Sequence, residues 1–179
     1  MTSALAAVGT VVSLNVSRGG VPKSPLTDAM VTLLGLETDA HNYQGHGGPE
    51  RAICIYPLEH IQALQQEGHP IGIGTTGENV TVEGLDWNRM VPGAQVKIGE
   101  IQLEITSYTR PCKTIRESFT GGRFGRISQK AHPGWSRVYA RVLTEGRIHS
   151  GDRVEVTSSG TPLFDPIPSG NGPTFEQYR

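Results

Sequence analysis

The chain has 179 residues and a formal net charge of −1, enough for one compact domain and short for two. Near-neutrality argues against whole-surface attraction to nucleic acid or anionic lipid. No apolar run approaches the ~20 residues that cross a bilayer, so neither nucleic acid nor membrane is an expected partner.

Glycine and proline are abundant, at 23 and 12 residues, which favours short strands joined by tight turns. The N-terminus is apolar from Ala4 to Val12 but lacks a basic lead-in, and Ser13 and Asn15 impose a strand-like alternation. It reads as the start of a strand over Val8 to Val16 and not as a signal peptide. A loop containing Lys23-Ser24 leads out of it, and an apolar, β-branched stretch runs from Ala29 to Leu36. Arg51 to Tyr56 is a nearly continuous apolar run, as in a strand buried on both faces. Pro57 then opens a helix over Leu58 to Glu67, and Gly68 closes it. Leu58, Ile61, Ala63 and Leu64 give this helix one apolar stripe.

Only β signals follow. Glu78 to Val82 predicts a short strand, and Val96 to Ile98 with Ile101 to Ile105 predicts a hairpin turned by Gly99-Glu100 in a type II′ geometry. Strands over Val138 to Thr144 and Val154 to Val156 complete the set, with a turn near Glu145-Gly146. The phrases Pro92-Gly93-Ala94-Gln95-Val96 and Ser150-Gly151-Asp152-Arg153-Val154 are alike, each a turn that launches a strand. The expected fold is mostly β: a closed or nearly closed β-barrel with a few short helices, spanning residues 1–159 as one domain. Residues 160–179 read as a Pro/Gly-rich tail.

The segment Thr109-Arg110-Pro111-Cys112-Lys113-Thr114 carries the strongest chemical signal. Proline keeps the chain extended on its approach to the thiol, and a short helix-like stretch follows from Ile115 to Phe119. Two flanking cations and the unpaired amides of a helix start favour a thiolate, the form that attacks electrophiles, carries sulfur and binds soft metals. The competing reading is an incidental buried thiol. No histidine lies near it in sequence to act as a base, which leaves a hydrolase reading without support. Cys54, between Ile53 and Ile55, reads as a small core hydrophobe. Two cysteines are too few to staple a secreted fold, so a reducing cytoplasm is expected.

Other polar clusters have two readings each. In His46-Gly47-Gly48-Pro49-Glu50-Arg51, paired glycines can aim backbone amides at an anion while His46 and Arg51 add charge, although a tight turn explains the glycines more simply. Thr75-Thr76-Gly77-Glu78-Asn79 can meet a planar heterocycle or a phosphate through Asn79, or can be a locally bonded turn. Lys23, and the Arg123, Arg126 and Lys130 group, can face an anion or be solvated. Six histidines are present, but no Cys-x-x-Cys or His-x-x-x-His spacing points to zinc.

Taken together and in order, His46-Gly-Gly-Pro-Glu-Arg51, Gly77-Glu-Asn79-Val-Thr-Val-Glu-Gly-Leu85 and Thr109-Arg-Pro-Cys112-Lys113 resemble the MOSC family, named for the C-terminal domain of molybdenum cofactor sulfurase. The chain is similar to its small stand-alone bacterial members, from about Gly9 to Val156. The resemblance implies a β-barrel-like fold and a molybdenum cofactor (molybdopterin), with Cys112 as molybdenum ligand or as a persulfide carrier. It implies that His46, Arg51, Thr76, Asn79 and Arg110 line the pterin and phosphate pocket, and that Lys23 and Ser24 hold phosphate.

The expected activity is therefore an oxidoreductase that reduces N-hydroxylated small molecules, with electrons from a separate donor. The alternatives are a sulfur carrier or transferase fed by a cysteine desulfurase, and a cofactor carrier without turnover. Larger relatives implied by the resemblance add a C-terminal helical segment, where this chain has its Pro/Gly-rich tail. No redox or desulfurase domain is recognisable on the chain, so either chemistry is expected to need a partner.

Overall fold

The computed structural model describes residues 8–41 and 47–160. Its strands are β1 (Val8–Val16), β2 (Ser24–Leu26), β3 (Asp28–Thr32), β4 (Gly35–Leu36), β5 (Ile53–Pro57) and β6 (Val80–Glu83). They continue with β7 (Gln95–Ile98), β8 (Ile101–Tyr108), β9 (Val138–Thr144), β10 (Gly146–His149) and β11 (Arg153–Ser158). Helix α1 (Leu58–Gln66) and short 3-10 segments fill the connections.

Seven strands close a barrel in the order β1-β11-β7-β8-β9-β5-β6 and back to β1. Every neighbouring pair is antiparallel except β5 and β6. Helix α1 is the crossover that a parallel pair requires. Strand β1 is long enough to pair β11 through Val8, Gly9 and Thr10, β6 from Thr10 to Leu14, and the short β2 from Leu14 to Val16. Strands β10, β3 and β4 form a separate three-stranded sheet.

Alternation builds the barrel core. In β8 the buried residues are Ile101, Leu103 and Ile105, and in β9 they are Val138, Ala140 and Val142. With Leu14, Ile53, Ile55, Val80, Val82, Val96, Ile98 and Val154 they form one continuous apolar interior. As its unbroken apolar run predicts, β5 is buried at all five positions. One face enters the barrel, and the other sends Tyr56 into a second core with Ile61 and Leu64 of α1, Ile71, Ile115, Phe119 and Ile127. This second core fixes the chain after Cys112 against α1.

The helix ends as its sequence predicts. Gly68 takes φ +95° while its amide donates to the Gln65 carbonyl, and the His69 amide donates to that of Leu64, a Schellman closure. Ile98 pairs with Ile101 across the two-residue turn, with Gly99 at φ +53°. The two similar Gly-containing phrases launch β7 and β11, with Gly93 and Gly151 at φ +88° and +89°. These strands are barrel neighbours, Val96 opposite Val156.

Several boundaries differ from expectation. The apolar stretch from Ala29 to Leu36 is a hairpin and not one strand, because Leu33 and Leu34 form an exposed turn and Gly35 at φ +118° abuts the Ala52 carbonyl. Arg51 belongs to a 3-10 turn, Pro49–Arg51, ahead of the buried strand. Glu78 and Asn79 precede β6: the Glu78 side chain bonds its own loop, and Asn79 bonds β5 and β1 through its backbone and side chain. Strand β10, where the sequence showed only a turn, pairs with β3 from Gly146 to His149. Of the expected tail, only Gly160 lies within the described residues.

Candidate functional site

At one end of the barrel, several segments converge on a partly enclosed cleft. Lys23 comes from the approach to β2, and Thr76, Gly77 and Asn79 from the loop before β6. Arg110 and Cys112 come from the loop after β8, Arg137 and Tyr139 from the start of β9, and Cys54 from β5. Arg51 and Gly47 complete the lining beside His41. The structure thus brings together Lys23, Arg51, Thr76, Asn79, Arg110 and Cys112. Ser24 is not brought in: it opens β2 with an exposed side chain and is absent from the lining. His46 lies outside the described residues.

Cys112 is extended at φ −139° and half-buried, one residue before the 3-10 segment Lys113–Ser118. Its thiol lies 3.3 Å from the Thr114 hydroxyl. The loop is braced on both sides. The Thr109 amide donates to the Arg137 carbonyl at 3.0 Å, and the Ser136 hydroxyl donates to the Thr109 carbonyl at 3.1 Å. On the far side, Ser118 donates to the Thr75 carbonyl at 3.2 Å, and Ile115 and Phe119 sink into the second core. These bonds and apolar contacts hold the Cys112 loop in place.

The loop before β6 is built around a buried carboxylate. Glu78, with no exposed surface, accepts from the Gly74 amide at 2.6 Å and from the Thr76 and Thr81 hydroxyls at 2.9 and 3.3 Å. Burial pushes the Glu78 carboxyl upward, and these hydrogen bonds and nearby Arg137 oppose the shift. The carbonyl of Thr76 in turn accepts from the Arg137 guanidinium. Asn79 is equally enclosed: its Oδ1 accepts from the Cys54 amide at 3.0 Å, and its Nδ2 donates to Asp39 at 2.8 Å and to the Asn15 carbonyl at 3.3 Å.

Lys23 is not solvated. It is buried, and its ammonium lies 2.6 and 2.7 Å from the two oxygens of Asp39. Arg137 is 6% exposed, and its Nε has no hydrogen-bond partner among the described residues. The Arg51 guanidinium stacks 5.6 Å from the centroid of Tyr139, whose hydroxyl burial pushes upward. Cys54 behaves as its sequence suggests: burial pushes its thiol up to about 11, so it stays protonated. Neither cysteine is in a disulfide.

The Arg123, Arg126 and Lys130 group does not line this cleft. Arg126 instead grips Glu67 at 2.6 and 2.9 Å and stacks 4.0 Å from the centroid of Trp135. Asp39, Arg137 and Tyr139 were missed by the sequence reading. A period-2 reading of the β9 approach could have found Arg137 and Tyr139, which are two apart; Tyr139 is paired with Cys54. Asp39 carried no signal beyond its polarity. Its role arises from a contact 16 residues away.

Among the described residues, no group of three or more His, Cys, Asp or Glu side chains is clustered to hold a metal ion by itself. No helix is long and apolar enough to cross a membrane.

Comparison with known proteins agrees with this architecture. The MOSC domain model matches residues 42–155. The chain is 30% identical over 144 residues to the YflK protein of Bacillus subtilis, covering 79% of this chain and 64% of that protein. It is 27% identical over 137 residues to YiiM of Escherichia coli, covering 73% and 60%. It is also 28% identical over 136 residues to a protein of Gibberella moniliformis named "Reductase", covering 73% of this chain and 24% of that one. The chain therefore spans under two thirds of the length of these relatives. The crystal structure of YiiM from Geobacillus stearothermophilus superposes with a TM-score of 0.63 at 24% identity, covering 84% of this chain and 75% of that one. The Escherichia coli YiiM structure gives 0.65 at 23%, covering 84% and 70%. With its matching domain model, its barrel and its relatives in agreement, the chain belongs to the MOSC domain family.

Proposed function

We propose that the cleft binds a molybdopterin-type cofactor, and that the protein is a molybdenum-cofactor-dependent oxidoreductase with Cys112 as the metal's protein ligand. One observation carries this reading: a single half-exposed thiol shares a cleft with three arginines, Arg51, Arg110 and Arg137. The donor set fits the group. A thiolate is a soft ligand for a polarizable metal, and guanidinium groups suit phosphate. The unpartnered Nε of buried Arg137 is a donor that a bound ligand would satisfy.

When bound, the cofactor would supply the redox-active metal that such a reduction needs. The chain's own part is to hold Cys112 rigidly between the second core and β9, to neutralise ligand charge with its arginines, and to shield one side of the site with the barrel end. N-hydroxylated small molecules are the proposed substrates, with electrons from a separate donor, in a reducing cytoplasm where both thiols persist. The Gibberella relative's name supports a reductase.

The test is reduction of an N-hydroxylated base by cofactor-loaded protein with a supplied electron donor. Activity in the wild type that Cys112→Ser abolishes supports the reading. A loaded wild type that is inactive across donors, yet gains sulfur on Cys112 from a cysteine desulfurase and cysteine, would replace it with the sulfur-carrier reading.

A further inference from the structure

The buried ion pair at the edge of the cleft carries a consequence for which ligand charges the site accepts. Lys23 lines the cleft, but Asp39 does not. Asp39 nonetheless takes up the polar groups around it: its oxygens accept from Lys23 Nζ at 2.6 and 2.7 Å, from Asn79 Nδ2 at 2.8 Å and from the Ser17 amide at 2.9 Å. His41 Nε2 stands 3.9 Å away. The side chains of Lys23 and Asp39 are 6% and 4% exposed, so water screens neither and the two charges cancel locally. An ammonium with two strong contacts to a carboxylate has one donor left at most. That is enough for a neutral carbonyl or ring nitrogen but poorly matched to a dianion.

We infer that Asp39 is a specificity-determining residue, an internal counter-anion. It closes the Lys23–Asn79 region to a free anion and leaves the ligand's negative charge to the arginines lining the rest of the cleft. Arg137 suits that task, since its Nε has no hydrogen-bond partner among the described residues while its Nη1 is tied to Thr76. The ligand would then lie with an uncharged polar edge toward Lys23 and its anionic group toward the arginines. This orientation refines the cofactor reading above. The charge-cancelling role of Asp39 does not depend on it.

Titration of the cofactor-free full chain with inorganic phosphate, followed by NMR, tests the inference apart from the cofactor. Asp39→Asn keeps the shape and removes the charge, so phosphate should bind at least about tenfold more tightly. The gain should vanish in the Asp39→Asn/Lys23→Gln double variant. Unchanged or weaker binding in Asp39→Asn overturns the inference, as does a gain that survives loss of Lys23. Should Asp39→Asn fail to fold, the wild type decides. The Lys23 ammonium signal should stay unmoved by phosphate while guanidinium Nε–H signals of Arg110 or Arg137 shift; movement at Lys23 instead would refute it.

Discussion

Replacing Asn79 with alanine removes three hydrogen bonds at a position only 3% exposed. The Cys54 amide in β5 loses its acceptor, Asp39 loses one of its donors, and the Asn15 carbonyl loses a weaker partner. A buried group left unpartnered costs about 1–3 kcal/mol. The Cys54 amide cannot turn elsewhere, and Asp39 retains Lys23, so the first loss should dominate and the total should be about 3 kcal/mol. For a chain of this size, ~1 kcal/mol lowers Tm by about 2–4 °C, which gives a drop of roughly 6–12 °C. Differential scanning calorimetry measures it directly, and Asn79→Asp provides the control. That variant keeps an acceptor for the Cys54 amide but sets a second carboxylate where Nδ2 met Asp39, so it should be no more stable than Asn79→Ala. A wild-type Tm for Asn79→Ala would refute the bracing role and leave Asn79 as a ligand contact alone.

Three further outcomes follow from the same geometry. Gly74→Ala should lower the urea midpoint by an equivalent of about 3 kcal/mol with an unchanged m-value, because φ is +80° and a Cβ would stand 2.3 Å from the Lys23 carbonyl. Iodoacetamide should label Cys112 in the native protein and both cysteines only after denaturation, read by intact mass, since burial keeps the Cys54 thiol protonated up to about 11. His60, whose Nε2 meets the Gly134 carbonyl at 2.7 Å, is held below its ordinary value chiefly by burial. The unfolded chain therefore takes up a proton that the folded one refuses, and stability is lost as pH falls below about 6.5. His60→Gln should flatten that part of a pH–stability curve; an identical slope would show that other groups carry it.

Local chemistry was legible from the sequence wherever one residue type has one conformational use. Gly68 ended α1, Gly99 turned the β7–β8 hairpin, and the apolar runs at Ile101–Ile105 and Val138–Thr144 marked β8 and β9. The split of Ala29–Leu36 was hidden because Leu33 and Leu34 are apolar yet exposed, which pattern reading treats as burial. The site divides the same way. Cys112 and Arg110 stood out through their neighbours, whereas Arg51, Thr76 and Asn79 were singled out only by the family resemblance. Asp39 and Arg137 stood out in neither way, because their importance lies in pairings with Lys23 and Thr76 made only when distant loops meet. Lys23 read as solvated or anion-binding, and only the folded chain reveals the carboxylate that already occupies it.

Molybdenum and pterin analysis of protein purified from a cofactor-competent host, wild type beside Cys112→Ala, tests the central claim most directly. The account expects near-stoichiometric metal and pterin in the wild type, with metal lost and pterin retained in the variant. Wild-type protein that carries neither, under conditions that load a known molybdoenzyme, would contradict it.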